Sequence, residues 1–174
     1  MREPISCIRW GFFLILLDIR LGRFDILPDF AGYYLWMVAL TDMWENFPDA
    51  RRLRSFCKGL AVFSLIDWLL DIEISLLTLI LTLVSLYVIY GILTQVVTYA
   101  EREGYEEARS LAQMRNVMAF YQAGMVVCYD WLKGGWATIV SLGYVILQLR
   151  IILHLSYVVE AEEKKEQENK SSSC

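Results

Sequence analysis

Asp18, Asp25 and Asp29 fall within twelve residues of an otherwise strongly apolar chain. Carboxylates at this spacing could share a cation at one face of the protein. A second constellation, Asp42, Arg150 and His154, is scattered through apolar segments. An ionisable group in such a setting is expensive to keep out of water, so it is a default candidate for function. Three roles are open to these residues. They could form an interhelical ion pair that fixes packing or a relay for a proton or small solute, or Arg150 could simply snorkel its long side chain to the nearest surface. Asp42 lies about 14 residues along the second apolar segment and Arg150 about 14 along the sixth, taking spans of roughly 20 residues, so the two are expected to meet at one depth. His154 follows Arg150 by four residues and shares its face, with Gln148 close by, so the sixth helix is expected to turn this stripe toward the others.

Other chemistry is poorly provided for. His154 is the single histidine, which leaves no self-contained multi-histidine metal or haem site. No G-x-S-x-G, Walker loop or H-E-x-x-H occurs, and Asp130 in "CYDW" lacks the second, Gly-flanked Asp that intramembrane aspartyl chemistry needs. No enzyme, no cofactor and no nucleic-acid partner is expected. Cys7, Cys57, Cys128 and Cys174 are far apart and form no C-x-x-C, so neither a disulfide framework nor a zinc site is expected.

The elements that must position these residues are helices in an apolar solvent. Of 174 residues, 57% are hydrophobic and 14% aromatic, and the mean hydropathy is +0.43. A globule of this size cannot cover so much apolar surface, so lipid is implied. Ile74 to Ala100 runs 27 residues without a charge, where about 20 cross the hydrocarbon core. Five further apolar segments bring the expected spans to about six, at 5–19, 28–44, 55–71, 74–99, 116–132 and 136–159, followed by a charged tail at 161–174. The fold class is all-α and polytopic. The front segments fall short of the usual length, which leaves short, tilted or re-entrant forms, and totals of four or five spans, as alternatives.

Charge placement favours six with both termini cytoplasmic. That arrangement puts Arg2, Arg9, Arg51, Arg52, Arg54, Lys58, Arg102, Arg109, Arg115, Lys164, Lys165 and Lys170 inside, against Arg20, Arg23 and Lys133 outside. No cleavage site follows Leu17, so the first segment is expected to stay as a helix. Between spans, a helix led by Pro48 and Asp49 presents Arg51, Arg52 and Arg54 to the inner leaflet, and Glu101–Arg115 is expected as a separate cytosolic helix. The acidic outer residues, Asp18, Asp25 and Asp29 with Asp67, Asp71, Glu73 and Asp130, also follow from basic residues being held inside, and that plainer origin competes with a cation site. Within "GRFDILPDFAGYYLW" a helical hairpin is expected. Gly22 ends the first helix, Asp25 caps the second, Pro28 sits in its first turn, Asp29 faces the dipole, and Gly32 admits a neighbouring helix.

The stretch Phe12 to Trp36, "FFLILLDIRLGRFDILPDFAGYYLW", resembles a segment of small integral membrane proteins of Gram-positive bacteria, in which an apolar helix ends in Asp and D-I-L-P-D-x-x-G-Y opens the next. The likeness covers about the first 40 residues. It implies a multi-pass protein of the bacterial cytoplasmic membrane, and no activity. The function expected is therefore structural or regulatory, through helix contacts with itself or another membrane protein in the lipid bilayer. The alternative is a small carrier or accessory transport subunit with Asp42, Arg150 and His154 in its path.

Overall fold

The computed structural model of the chain describes residues 4–16, 20–21, 24–25, 29–43, 49–70, 75–127 and 135–172. It is all-α, with six helices among the described residues: α1 (Pro4–Leu16), α2 (Phe30–Met43), α3 (Ala50–Leu70), α4 (Ser75–Glu103), α5 (Glu107–Val127) and α6 (Gly135–Ser172). Two short strands, β1 (Arg20–Leu21) and β2 (Phe24–Asp25), pair antiparallel between α1 and α2, with Arg20 opposite Asp25. Successive helices alternate in direction, since Phe30 meets Trp68, Phe56 meets Tyr87 and Tyr121 meets Tyr144 across α2–α3, α3–α4 and α5–α6.

Local chemistry sets the helix ends. Pro4 opens α1 at the position where its missing N–H costs nothing. Asp29 and Asp49 each accept the first helical bond, from Tyr33 N and Leu53 N at 3.1 Å, and so stand at the N-caps of α2 and α3. The basic lead-in and the apolar run after it are one continuous α3. Gly104, at φ +73°, ends α4 in a Schellman motif. Tyr105 N–H reaches the Ala100 carbonyl at 2.9 Å, Gly104 N–H reaches Glu101 at 3.2 Å, and the Tyr105 ring packs on Tyr99 at 6.4 Å. This overturns the expected cytosolic helix at Glu101–Arg115. The segment is instead the closure of a tight hairpin, its first residues belonging to α4 and its last to α5. The tail is likewise helical, continuing α6 as far as Ser172.

Burial is concentrated at the Gly104 end of the bundle. Among the described residues, α3 buries no hydrophobic side chain beyond Leu60, α4 none before Val88, α5 none after Met118 and α6 none before Ile151. There the core is continuous through Ile8, Phe12, Trp36, Leu53, Ile92 and Leu155. Between α3 and α4 lies an apolar groove of about 320 Å³ lined by Phe56, Ile80, Leu83, Val84 and Tyr87. Two helices contain stretches long and apolar enough to cross a membrane, Leu79–Glu103 and Thr138–Lys165.

Helices α1 and α2 cross closely. Gly32 lies against the Gly11 backbone, and a Cβ built at Gly32 would come within 2.8 Å of the Gly11 carbonyl oxygen. Trp36, one turn on, is fully buried over Gly11, meets the Phe12 ring at a tilt with centroids 4.7 Å apart and donates its Nε1–H to the Ile8 carbonyl at 3.1 Å. Two small residues thus bring the backbones together, and the indole both fills the step and satisfies an α1 carbonyl.

Candidate functional site

The residues expected to form an intramembrane site are not brought together. Arg9 reaches Ser156 Oγ at 3.5 Å and Ile8 accepts from Trp36, so Trp36 and Ser156 lie at one level. Asp42 is six residues from Trp36 toward the Gly104 end, and Arg150 six residues from Ser156 toward the other. Asp42 therefore lies nearer the Gly104 end than Arg150 does. Both are exposed, and they do not pair. Counting from the segment starts failed because those starts are not level. The 13- and 14-residue helices α1 and α2 are short, whereas α6 runs for 38 residues and begins well beyond them.

The expected stripe on α6 also divides. Gln148 is 1% exposed, while Arg150, two residues and about 200° further round, is exposed. His154 does share the side of Arg150. Its ring meets Tyr157 edge-on at 6.2 Å and its Nδ1 is buried without a hydrogen-bond partner. The face that α6 turns to the bundle is Gln148, Ile151, Leu155 and Val158, in i, i+3, i+4 spacing.

A polar seam that the sequence did not single out lies between α5 and α6. Gln122 Nε2 donates to the Tyr144 hydroxyl at 3.0 Å, Gln148 also reaches that hydroxyl, and the Tyr121 hydroxyl donates to the Val140 carbonyl. Tyr121 lies against Gly143, where a side chain would displace it. Gln122 and Gln148 are more than nine-tenths buried, and among the described residues each keeps a side-chain oxygen without a donor. The signal available in the sequence was the i, i+4 repeat of Tyr144 and Gln148, continued by Ile151 and Leu155. It was masked because α6 is apolar on every side. A smaller polar contact joins α2 to α4, where the Tyr33 and Ser85 hydroxyls lie 3.3 Å apart.

At the Gly104 end, α6 is tied to the α4–α5 hairpin. Lys165 Nζ donates to the Glu103 carbonyl at 2.8 Å and pairs with Glu103 Oε2 at 3.1 Å, and it stands 4.5 Å from the centre of the Tyr105 ring. The Tyr99 hydroxyl donates to Glu162 Oε1 at 2.6 Å. Burial pushes the Tyr105 hydroxyl above its ordinary range, with Lys165 opposing the shift.

Of the acidic trio, Asp18 lies outside the described residues, as do Gly22 and Pro28. Asp25 does not cap α2: its backbone belongs to β2, and the helix begins at Phe30 with Asp29 as its cap. Among the described residues no group of three His, Cys, Asp or Glu side chains comes together to hold a metal ion. Compared with known proteins, the chain matches no family model, no curated protein and no solved structure.

Proposed function

We propose that the chain is a multi-pass protein of a bacterial cytoplasmic membrane, with all six helices in the bilayer and both termini cytoplasmic, and that it acts through helix–helix contacts within the membrane. The observation that carries this reading is the apolar surface the fold leaves uncovered. Phe63, Ile66 and Leu69 on α3, Ile80 and Leu83 on α4, Phe120 and Val127 on α5, and Ile139, Leu142 and Ile146 on α6 are all exposed. Water does not tolerate continuous apolar surface on this scale, whereas lipid is matched to it. Only 17% of the apolar window of α6 is buried, unlike a core helix of a water-soluble fold. The ends agree in charge: Arg51, Arg52, Arg102, Arg109, Lys164 and Lys165 cluster at the Gly104 end, where the positive-inside rule places the cytoplasm.

Topology tests the reading directly. Single cysteines replace Arg20, Ser55, Glu73, Glu103 and Lys133 in a chain whose native cysteines are changed to serine, and intact cells are treated with a membrane-impermeant thiol reagent. Labelling is expected at 20, 73 and 133 only. A silent position 20 beside labelled 73 and 133 would make α1 and α2 a re-entrant pair and leave four spans. Labelling at 55 or 103 would overturn the orientation.

A carrier is the second reading, and one observation favours it: the buried amide oxygens of Gln122 and Gln148 beside Tyr144, which offer acceptors to a polar solute. The Asp42, Arg150 and His154 path is replaced in this reading by the α5–α6 seam. Gln148→Leu should then abolish solute uptake into vesicles without loss of the folded protein, and uptake that survives it removes the carrier reading.

A further inference from the structure

The Tyr144 hydroxyl stands where several helices bring polar groups together. Both amides of the α5–α6 seam donate N–H to it, Gln122 Nε2 at 3.0 Å and Gln148 from one turn along α6. Each amide therefore turns its oxygen elsewhere, and Gln122 Oε1 and Gln148 Oε1 are buried without a donor among the described residues. Gln148 is 1% exposed and Gln122 8%. From α2 comes Tyr33, also buried, which lies within electrostatic reach of the Tyr144 hydroxyl and places its own hydroxyl 3.3 Å from Ser85 Oγ on α4.

Asp29 brings a negative charge to this cluster. Its Oδ1 is buried, and its carboxylate acts electrostatically on both Tyr33 and Tyr144. Counted from the level shared by Trp36 and Ser156, Asp29 is seven residues along α2 and Gln148 eight residues along α6, both away from the Gly104 end, so the two stand at similar depth. A carboxylate and two amide oxygens thus turn their negative ends to one interior. In a low dielectric such a set is costly, and a positive charge among the oxygens lowers that cost. Carboxylate, carboxamide and hydroxyl oxygens are the ligands that hard cations take. A water molecule would also donate to the amide oxygens, but it brings no charge to meet that of Asp29. Asp29 supplies one negative charge, which a monovalent ion balances and a divalent ion exceeds.

We propose that Asp29, Gln122 and Gln148, with the hydroxyls of Tyr33 and Tyr144, form a binding site for a monovalent cation, an alkali ion or a primary ammonium, held by oxygen between α2, α5 and α6. Tyr144 is a positioning residue in it: by taking an N–H from each amide it fixes which end of each side chain faces the ion. The inference rests on the seam of the carrier reading and names the class of solute for it, although binding alone satisfies it.

The full chain, purified in a non-ionic detergent, is heated in choline chloride, whose shielded cation has no N–H, and unfolding is followed by tryptophan fluorescence. The measurement is repeated with Na⁺, K⁺, methylammonium or Ca²⁺ in place of choline at constant ionic strength. A saturable rise in the midpoint is expected with at least one of the three monovalent ions, and which one gives it separates an alkali ion from an ammonium. Asp29→Asn keeps a good N-cap at the start of α2 while removing the charge, and it should raise the half-saturating concentration about ten-fold or more, as should Gln148→Leu. Gln95→Leu replaces another buried amide, on α4 toward the Gly104 end, and should leave the response unchanged. A midpoint that no monovalent ion moves overturns the proposal and assigns the amide oxygens to water. A response to Ca²⁺ alone, or one that Asp29→Asn leaves intact, overturns it as well. Uptake of the same ion into vesicles separates the two levels: an ion that binds but does not enter overturns the carrier reading and leaves the site, and uptake without any shift in midpoint overturns the site alone.

Discussion

Replacing Gly32 by Ala should loosen the bundle where α1 crosses α2. The new methyl would lie 2.8 Å from the Gly11 carbonyl oxygen and 2.5 Å from Ile15 Cγ1. Ile15 can rotate away, but the Gly11 oxygen is backbone, so the two helices must separate by about 0.6 Å to restore ordinary contact. That movement also lifts Trp36 from Gly11 and strains its bond to Ile8. Overpacking of this kind costs about 1–3 kcal/mol, against which Ala recovers up to about 1 kcal/mol of helix propensity over Gly. The net expectation is a loss of about 1–2 kcal/mol. Gly59 in α3 gives the opposite sign, since a Cβ there meets nothing within 4 Å, and Gly59→Ala should stabilise by up to about 1 kcal/mol. Both variants would be unfolded in mixed micelles by increasing SDS, with Trp fluorescence and helical circular dichroism as signals. If Gly32→Ala is as stable as Gly59→Ala, the α1–α2 crossing is not close and the packing described for Gly11, Gly32 and Trp36 is wrong.

Three further outcomes follow from the Gly104 end. Gly104→Ala forces a side chain into the left-handed region at φ +73° and should cost about 1–2 kcal/mol in the same SDS titration, with Gly104→Asn recovering part of it. Lys165→Met removes the bond to the Glu103 carbonyl, a half-exposed ion pair and the contact with Tyr105; a loss of about 1 kcal/mol is expected, and in the native protein high salt should reproduce only the ion-pair share. Tyr105 has a raised folded-state value relative to its ordinary 10.0, so the fold favours the neutral phenol; that contribution is complete at neutral pH and is lost as pH rises through the folded value. The difference between the ultraviolet titrations of the native protein and of Tyr105→Phe should show one tyrosine ionising above the ordinary value, and a difference centred at the ordinary value would refute the burial of this hydroxyl.

Much of the fold could be read from the order of apolar segments. The first two helices fall where the apolar runs around Ile5–Leu17 and Phe30–Trp44 place them, and α3 begins at the Pro48–Asp49 signal. Gly104 is a glycine just past a long helical run and so carries a helix-stop signal, but the charged residues on both sides of it give the segment the composition of a polar helix. The site was not legible for a different reason. In a helix apolar all round, periodicity does not say which side faces inward, so Gln148 and Arg150 could be grouped although they point apart. Depth counted along single helices also assumes that they start level, which the short α1 and α2 and the 38-residue α6 do not.

The contact of Arg9 with Ser156 joins residues 147 positions apart. Helix α1 can meet α2 as soon as both have been synthesised, but its contact with Ser156 through Arg9 waits for α6 to emerge. At about 5–20 residues per second, that interval lasts many seconds in which the growing bundle has an unfilled side. Closure of α6 on α1 thus follows the α1–α2 crossing in assembly. A product shortened before Ile151 would retain the α1–α2 crossing and the α4–α5 hairpin yet lack what locks them together, and such a product is the form most open to capture by quality-control proteases.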